Sequence, residues 1–146
     1  MSNLLAWARS IKSDGVVRSS TGQGKRPFIH PEDIASVAVQ ALTTREYLGH
    51  SLAITGPEAL SFQEVPAKIG AVIGRKLRFQ SISDEEAGQR FSATGASGDE
   101  TAAHIELWRA IREGRLAAVT DGVRRVLGRE PIRLEQWVIE NAAEFS

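Results

Sequence analysis

"RPFIHPEDIASVAVQAL", Arg26 to Leu42, joins a short extended segment to a helix with nothing between them. Arg26 to His30 reads as a strand. Pro31 then takes the first helical position, where the amide hydrogen it lacks would have had no partner. Glu32 and Asp33 set negative charge on the positive end of that helix. Ile34, Val37, Ala38, Ala41 and Leu42 recur at helical spacing, which predicts a helix with one apolar face turned to the core. A strand that runs straight into a helix is the elementary join of an α/β fold.

On the N-terminal side, Leu4, Leu5, Ala8 and Ile11 also recur at helical spacing, and Asp14-Gly15 ends that helix. Val16 to Ser20 reads as a second short strand, separated from Arg26 by the Gly-rich turn "STGQGKRP". On the C-terminal side, "HSLAITG" reads as a buried strand closed by Gly56-Pro57. Ser61 and Glu64 have capping-box spacing, and Val65, Ile69, Val72 and Ile73 form the next apolar face, with Pro66 tightening the first turn. "RKLRFQSI" alternates as a strand does.

From Ser83 onward the pattern is helical. "SDEEAGQRF" opens on a good cap, with Asp84, Glu85 and Glu86 as first-turn acids. "ATGASGD" is the most flexible-looking stretch, after which Ser97 or Asp99 caps a helix bearing Ile105, Trp108 and Ile111. Val119, Val123, Val126 and Leu127, closed by Gly128, predict another helix, and Leu134, Trp137, Val138, Ala142 and Phe145 the last. The expected architecture is α/β: a small, mostly parallel sheet of two to four strands with helices, then a helical C-terminal part. It forms one domain over residues 1–146, strand–helix units to residue 82 and helices from 83.

Composition narrows the function classes. Lys plus Arg and Asp plus Glu number 18 each, so no global field favours nucleic acid or an anionic membrane. The basic clusters Arg75, Lys76, Arg78 and Arg124, Arg125, Arg129 read as solvated faces. Without cysteine there is no disulfide, thiolate nucleophile or Cys-based zinc site, which suits a reducing cytoplasm. No apolar run reaches the ~20 residues of a membrane span, and the N-terminus has no signal-peptide pattern. A soluble, cytoplasmic protein is expected. Three histidines without metal-ligand spacing predict no metal site.

A few strands followed by a helical tail make a thin core, because a small parallel sheet leaves edges and a face that need cover. The blocks "FIHPEDIASVAVQAL", "LAITGPEALSFQEV" and "IGRKLRFQSI", flanked by "MSNLLAWARSIKSDGVV" and "VLGREPIRLEQWVIENAAEF", resemble in order the C-terminal half of NmrA-like proteins, atypical relatives of the short-chain dehydrogenases/reductases. That resemblance covers nearly the whole chain. It implies a family whose preceding Rossmann half carries the Gly-rich phosphate loop and most cofactor contacts, and whose members include NAD(P)H-dependent quinone and ketone reductases. "TGQGK" is only Gly-x-Gly and reads as a hairpin turn. The Tyr-x-x-x-Lys pair of typical relatives is missing, since Tyr47 is followed at that spacing by Ser51. The expectation is that no cofactor is bound by this chain alone, with NAD(P)H possible in company with a partner chain.

Asn3 matches the family's asparagine near the substrate end of the cleft, or else caps the first helix. His30 and Asp33 sit where a strand meets a helix N-terminus, where open α/β folds place ligands. His30 is the candidate general acid or base, or a turn histidine, with Asp33 holding backbone N–H groups or an arginine. Trp7, Phe28 and Trp108 are candidate substrate-cleft walls, core packing being the alternative. His50 and His104 read as surface or packing residues.

Three functions remain open at this point. One is the substrate-binding half of a split enzyme, pairing with a separate Rossmann-like chain to reduce a small organic substrate with NAD(P)H, or to carry out a non-redox elimination or cyclisation. A homodimer is the other expected assembly. The second function is a non-catalytic regulatory module, and the third a truncated piece of an ordinary NAD(P)H-dependent oxidoreductase.

Overall fold

The computed structural model describes residues 1–146. A 3-10 helix, Ser2–Trp7, runs into α1 (Ala8–Asp14), which Gly15 ends in the left-handed conformation. There follow β1 (Val16–Ser19), β2 (Lys25–Pro27), α2 (Pro31–Thr43), β3 (Ala59–Ser61), α3 (Glu64–Ile73) and β4 (Arg78–Ser81). The helical part comprises α4 (Asp84–Ser92), α5 (Gly98–Arg112), α6 (Gly122–Leu127), α7 (Leu134–Glu140) and α8 (Ala142–Phe145). The α/β class and the helical C-terminal part are as expected.

The strands divide into two pairs. β1 and β4 run parallel, Val17 opposite Phe79, while β2 and β3 run antiparallel, Arg26 opposite Leu60. The Thr21–Lys25 turn therefore links strands of different sheets and is not a hairpin. Gly24 is required in it, because a Cβ there would overlap the Ile111 carbonyl at the end of α5.

The strand expected over "HSLAITG" is absent. A side-chain clasp takes the place of a ladder: Thr120 donates its amide to Thr55 Oγ1 (2.9 Å) and its hydroxyl to the Ala53 carbonyl (2.7 Å). The expected helix from Val119 also starts later, at Gly122, leaving Val119 in an exposed loop.

Caps follow the residue chemistry. Ser61 and Glu64 satisfy each other's amides before α3 (3.1 and 2.8 Å), Ser83 caps α4, and Ser97 with Glu100 forms a full capping box on α5. Pro66 falls in the first turn of α3, where its missing donor leaves no helical bond unmade.

One core joins the halves. Leu4, Ile11, Val17, Ile69, Val138 and Phe145 are buried in a cluster fed by the N-terminal helices, β1, α3 and α7–α8. α3 packs on α7, α4 on α5 and α2 on α6. The expected core-facing stripe of α2 is the main departure. Of its apolar residues only Val37 is buried, while Ile34, Val39 and Leu42 are exposed, Leu42 by 85%. The pattern encodes an apolar face correctly, but this chain covers only the part of it at Val37, where α6 packs. No helix is long and apolar enough to cross a membrane.

Candidate functional site

A cleft of about 720 Å³ opens between the N-terminal helix, the β2 strand and the α4–α5 pair. That size suits a small organic molecule. Asn3, Trp7, Phe28 and Trp108, four of the six residues singled out in the sequence, all line it. Asn3 makes no cap bond, since the 3-10 helix begins without a side-chain cap.

Phe62 is the keystone of the wall. Its ring meets Trp7 edge-on at 5.1 Å, Phe28 at 5.8 Å and Trp108 at 6.3 Å. Trp108 leads on to His104 (4.5 Å), which stacks flat on Phe91 at 4.1 Å. The result is a line of touching rings that starts at Phe28 and Phe62, core residues just past β2 and β3, and continues through Trp108 and His104 on α5 to Phe91 on α4. Such a surface favours flat, conjugated rings, through offset and edge-to-face contact. Burial pushes the His104 imidazole below its usual pKa, which favours its neutral form. A second hollow of about 590 Å³, over the α4–α5 turn, shares Phe91, Thr94, His104 and Leu107 with the cleft.

His30 and Asp33 lie elsewhere. Neither lines the cleft, and both are engaged at the start of α2. His30 Nδ1 accepts the Glu32 amide hydrogen at 3.1 Å, which leaves the proton on Nε2 to be donated to Glu140 at 3.0 Å. Asp33, fully buried, receives the Arg129 guanidinium on one oxygen (2.7 Å) and the Ile132 amide on the other (2.8 Å). The expected pair thus lies outside the cleft, and its bonds tie α2 to the α6–α7 segment and occupy both Asp33 oxygens, the arrangement of the anchoring alternative. The two readings separate because a strand-to-helix join marks where ligands bind only when the join faces a crevice.

Sequence reasoning passed over Arg18, Arg26, Arg90 and His104 as cleft residues. Two of them were within reach. Arg26 is two residues before Phe28 in extended backbone and so shares its side. His104 stands four residues before Trp108 on α5 and shares its face. Arg18 and Arg90 carried no such signal, because their place in the cleft depends on how β1 and α4 pack.

The Gly-x-Gly turn is not built as a phosphate loop. Thr21 is buried, and Gly24 is packed against the end of α5, so the Thr21–Lys25 turn presents no open cradle of amides. No group of histidines, aspartates and glutamates is arranged to hold a metal ion.

No protein-family model matches the chain. It is 37% identical over 145 residues to an NAD(P)H azoreductase of Xenophilus azovorans, covering 99% of this chain and 51% of that protein. It is 36% identical over 148 residues to a (4-alkanoyl-5-oxo-2,5-dihydrofuran-3-yl)methyl phosphate reductase of Streptomyces griseus, again covering 51% of the relative. The fold superimposes on an Escherichia coli NADPH-dependent quinone oxidoreductase solved with NADPH. There the TM-score is 0.84 at 18% identity, over 97% of this chain and 50% of the other. The chain thus spans about half the length of the curated relatives it matches. In sequence and in fold it matches half of these NAD(P)H azoreductase-type proteins, consistent with the C-terminal half of an NmrA-like protein.

Proposed function

We infer that this chain supplies the substrate-binding half of an NAD(P)H-dependent oxidoreductase of NmrA type, and that a separate Rossmann-like chain brings the nucleotide. The observation that carries the reading is the aromatic cleft, of ligand size and walled by Trp7, Phe28, Phe62 and Trp108, together with a Gly-x-Gly turn whose Gly24 is packed shut against α5. Substrate and nucleotide are then held by different polypeptides and meet between them. Two further features support it. β1 and β4 each pair on one edge only, and α2 leaves Ile34, Val39 and Leu42 uncovered. A Rossmann half has the open sheet and helices to cover such surfaces. The relatives named as reducing azo compounds and an unsaturated lactone carrying a methyl phosphate have conjugated substrates, as a flat aromatic cleft would favour.

The test combines this chain with the half of the Xenophilus azovorans azoreductase that it does not match, and follows NADPH consumption with a quinone or azo acceptor. Turnover that needs both polypeptides and drops at least tenfold in Trp108→Ala is the expected result. Assembly without turnover would point instead to the regulatory module. A chain that neither assembles nor binds the acceptor would overturn the reading.

A further inference from the structure

The charge in the cleft is unbalanced. Three guanidinium groups line it, Arg18, Arg26 and Arg90, and no carboxylate does. Two of the three are already matched from outside. Arg18 donates to Asp14 at 2.7 Å and to Gln80 at 3.1 Å, and Arg90 pairs with Glu86 at 2.9 Å. Arg26 is different. Its only specific contact is with the Phe28 ring, 5.3 Å from the guanidinium carbon to the centroid. No charged side chain of the chain neutralises it.

A half-buried guanidinium without an anion is costly, because part of its hydration is lost and nothing replaces it. The direction of its pKa, lowered by burial with no opposing charge to raise it, expresses the same deficit. Its position is also informative. The aromatic surface runs from Phe91 through His104, Trp108 and Phe62 to Phe28, and Arg26 stands at the Phe28 end. A flat ring system lying along that surface would place its end group at Arg26. Guanidinium presents a planar fork of donors that fits a carboxylate, sulfonate or phosphate ester through two parallel hydrogen bonds.

We propose that the cleft takes a planar conjugated molecule bearing an anionic group, and that Arg26 receives the anion while Phe28, Phe62 and Trp108 hold the ring. This rests on the cleft being the substrate site and adds the chemical class of its occupant. Arg26 acts here in binding and specificity and takes no part in any bond made or broken.

The experiment measures quenching of tryptophan fluorescence in the full chain by two probes of like ring and unlike charge, 1,4-naphthoquinone-2-sulfonate and menadione. Trp7 and Trp108 lie in the cleft and report binding directly. The wild-type chain is expected to prefer the sulfonate. Arg26→Gln should weaken it roughly ten- to a hundredfold, the range for losing one charge-assisted pair, and leave menadione within about twofold. Arg26→Lys should recover part of the loss, and thermal melting of each variant reports folding. Replacing the sulfonate by a naphthyl carboxylate or phosphate ester then ranks the anions. Equal binding of both probes, unchanged in Arg26→Gln, would overturn the anion assignment and leave the substrate cleft standing. Failure of the wild-type chain to bind either probe would overturn the cleft reading and this inference together.

Discussion

Helices α2 and α3 are written alike and used differently. Each carries an apolar stripe at helical spacing and opens just after a strand or capping turn. α3 buries Val65, Pro66, Ile69 and Gly70 against α7, β3 and the core. α2 buries Val37 and the carboxylate of Asp33, packs mainly on α6, and leaves Leu42, Val39 and Ile34 in solvent. An isolated exposed leucine is unremarkable, but three large apolar side chains exposed on one helix form a face that invites cover. Periodicity tells which face is apolar and says nothing about what will cover it.

The largest expected effect distinguishing the two helices is at α3. Ile69→Ala, at a position with no exposure, should cost about 2–5 kcal/mol in urea unfolding. Leu42→Gln in the free chain should move stability by no more than about 0.5 kcal/mol. An equal loss at both sites would erase the contrast. Asp33→Ala comes next, at about 3 kcal/mol, because it strands the Ile132 amide and the Arg129 guanidinium that anchor α2. That change should also release α2 selectively, which hydrogen exchange would register as lost protection over Pro31–Thr43 with α3 unaffected.

A smaller effect comes from acid. Two hydrogen bonds from the Arg112 guanidinium, 2.8 and 3.0 Å long, hold Asp84 well below the usual carboxylate range. A depressed carboxylate contributes stability that is fully present above its unfolded pKa of about 4, and is lost as pH falls through the folded value. Thermal melting should therefore fall on acidification below pH of about 4, and fall less steeply in Asp84→Asn. The smallest effect in the free chain, Leu42→Gln, becomes the larger one in a complex. There it should weaken association with a nucleotide-binding half roughly tenfold or more, as one buried leucine is worth about 1.5–3 kcal/mol.

Much of the helical architecture was legible because caps and stripes are local. Ser83, Ser97 with Glu100, and Ser61 with Glu64 do what their spacing predicts. The missing strand at residues 50–56 and the delayed start of α6 were not legible. Both depend on Thr55 meeting Thr120 across 65 positions of sequence, a contact that no local pattern encodes. The candidate site divides the same way. Trp7, Phe28 and Trp108 stand out by residue type, whereas Phe62 and Phe91 enter only through packing. His30 and Asp33 had the right chemistry and the right kind of join, but that join lies away from the cleft, and their bonds run to Glu140, Arg129 and Ile132.

Native-state hydrogen exchange, on the chain alone and with a nucleotide-binding half added, tests the central claim most directly. α2 is predicted to open at a lower free energy than α3 in the free chain, and to gain protection when the second polypeptide is present. If α2 is as protected as α3 in the free chain and nothing added changes it, this chain has no uncovered face, and the account fails.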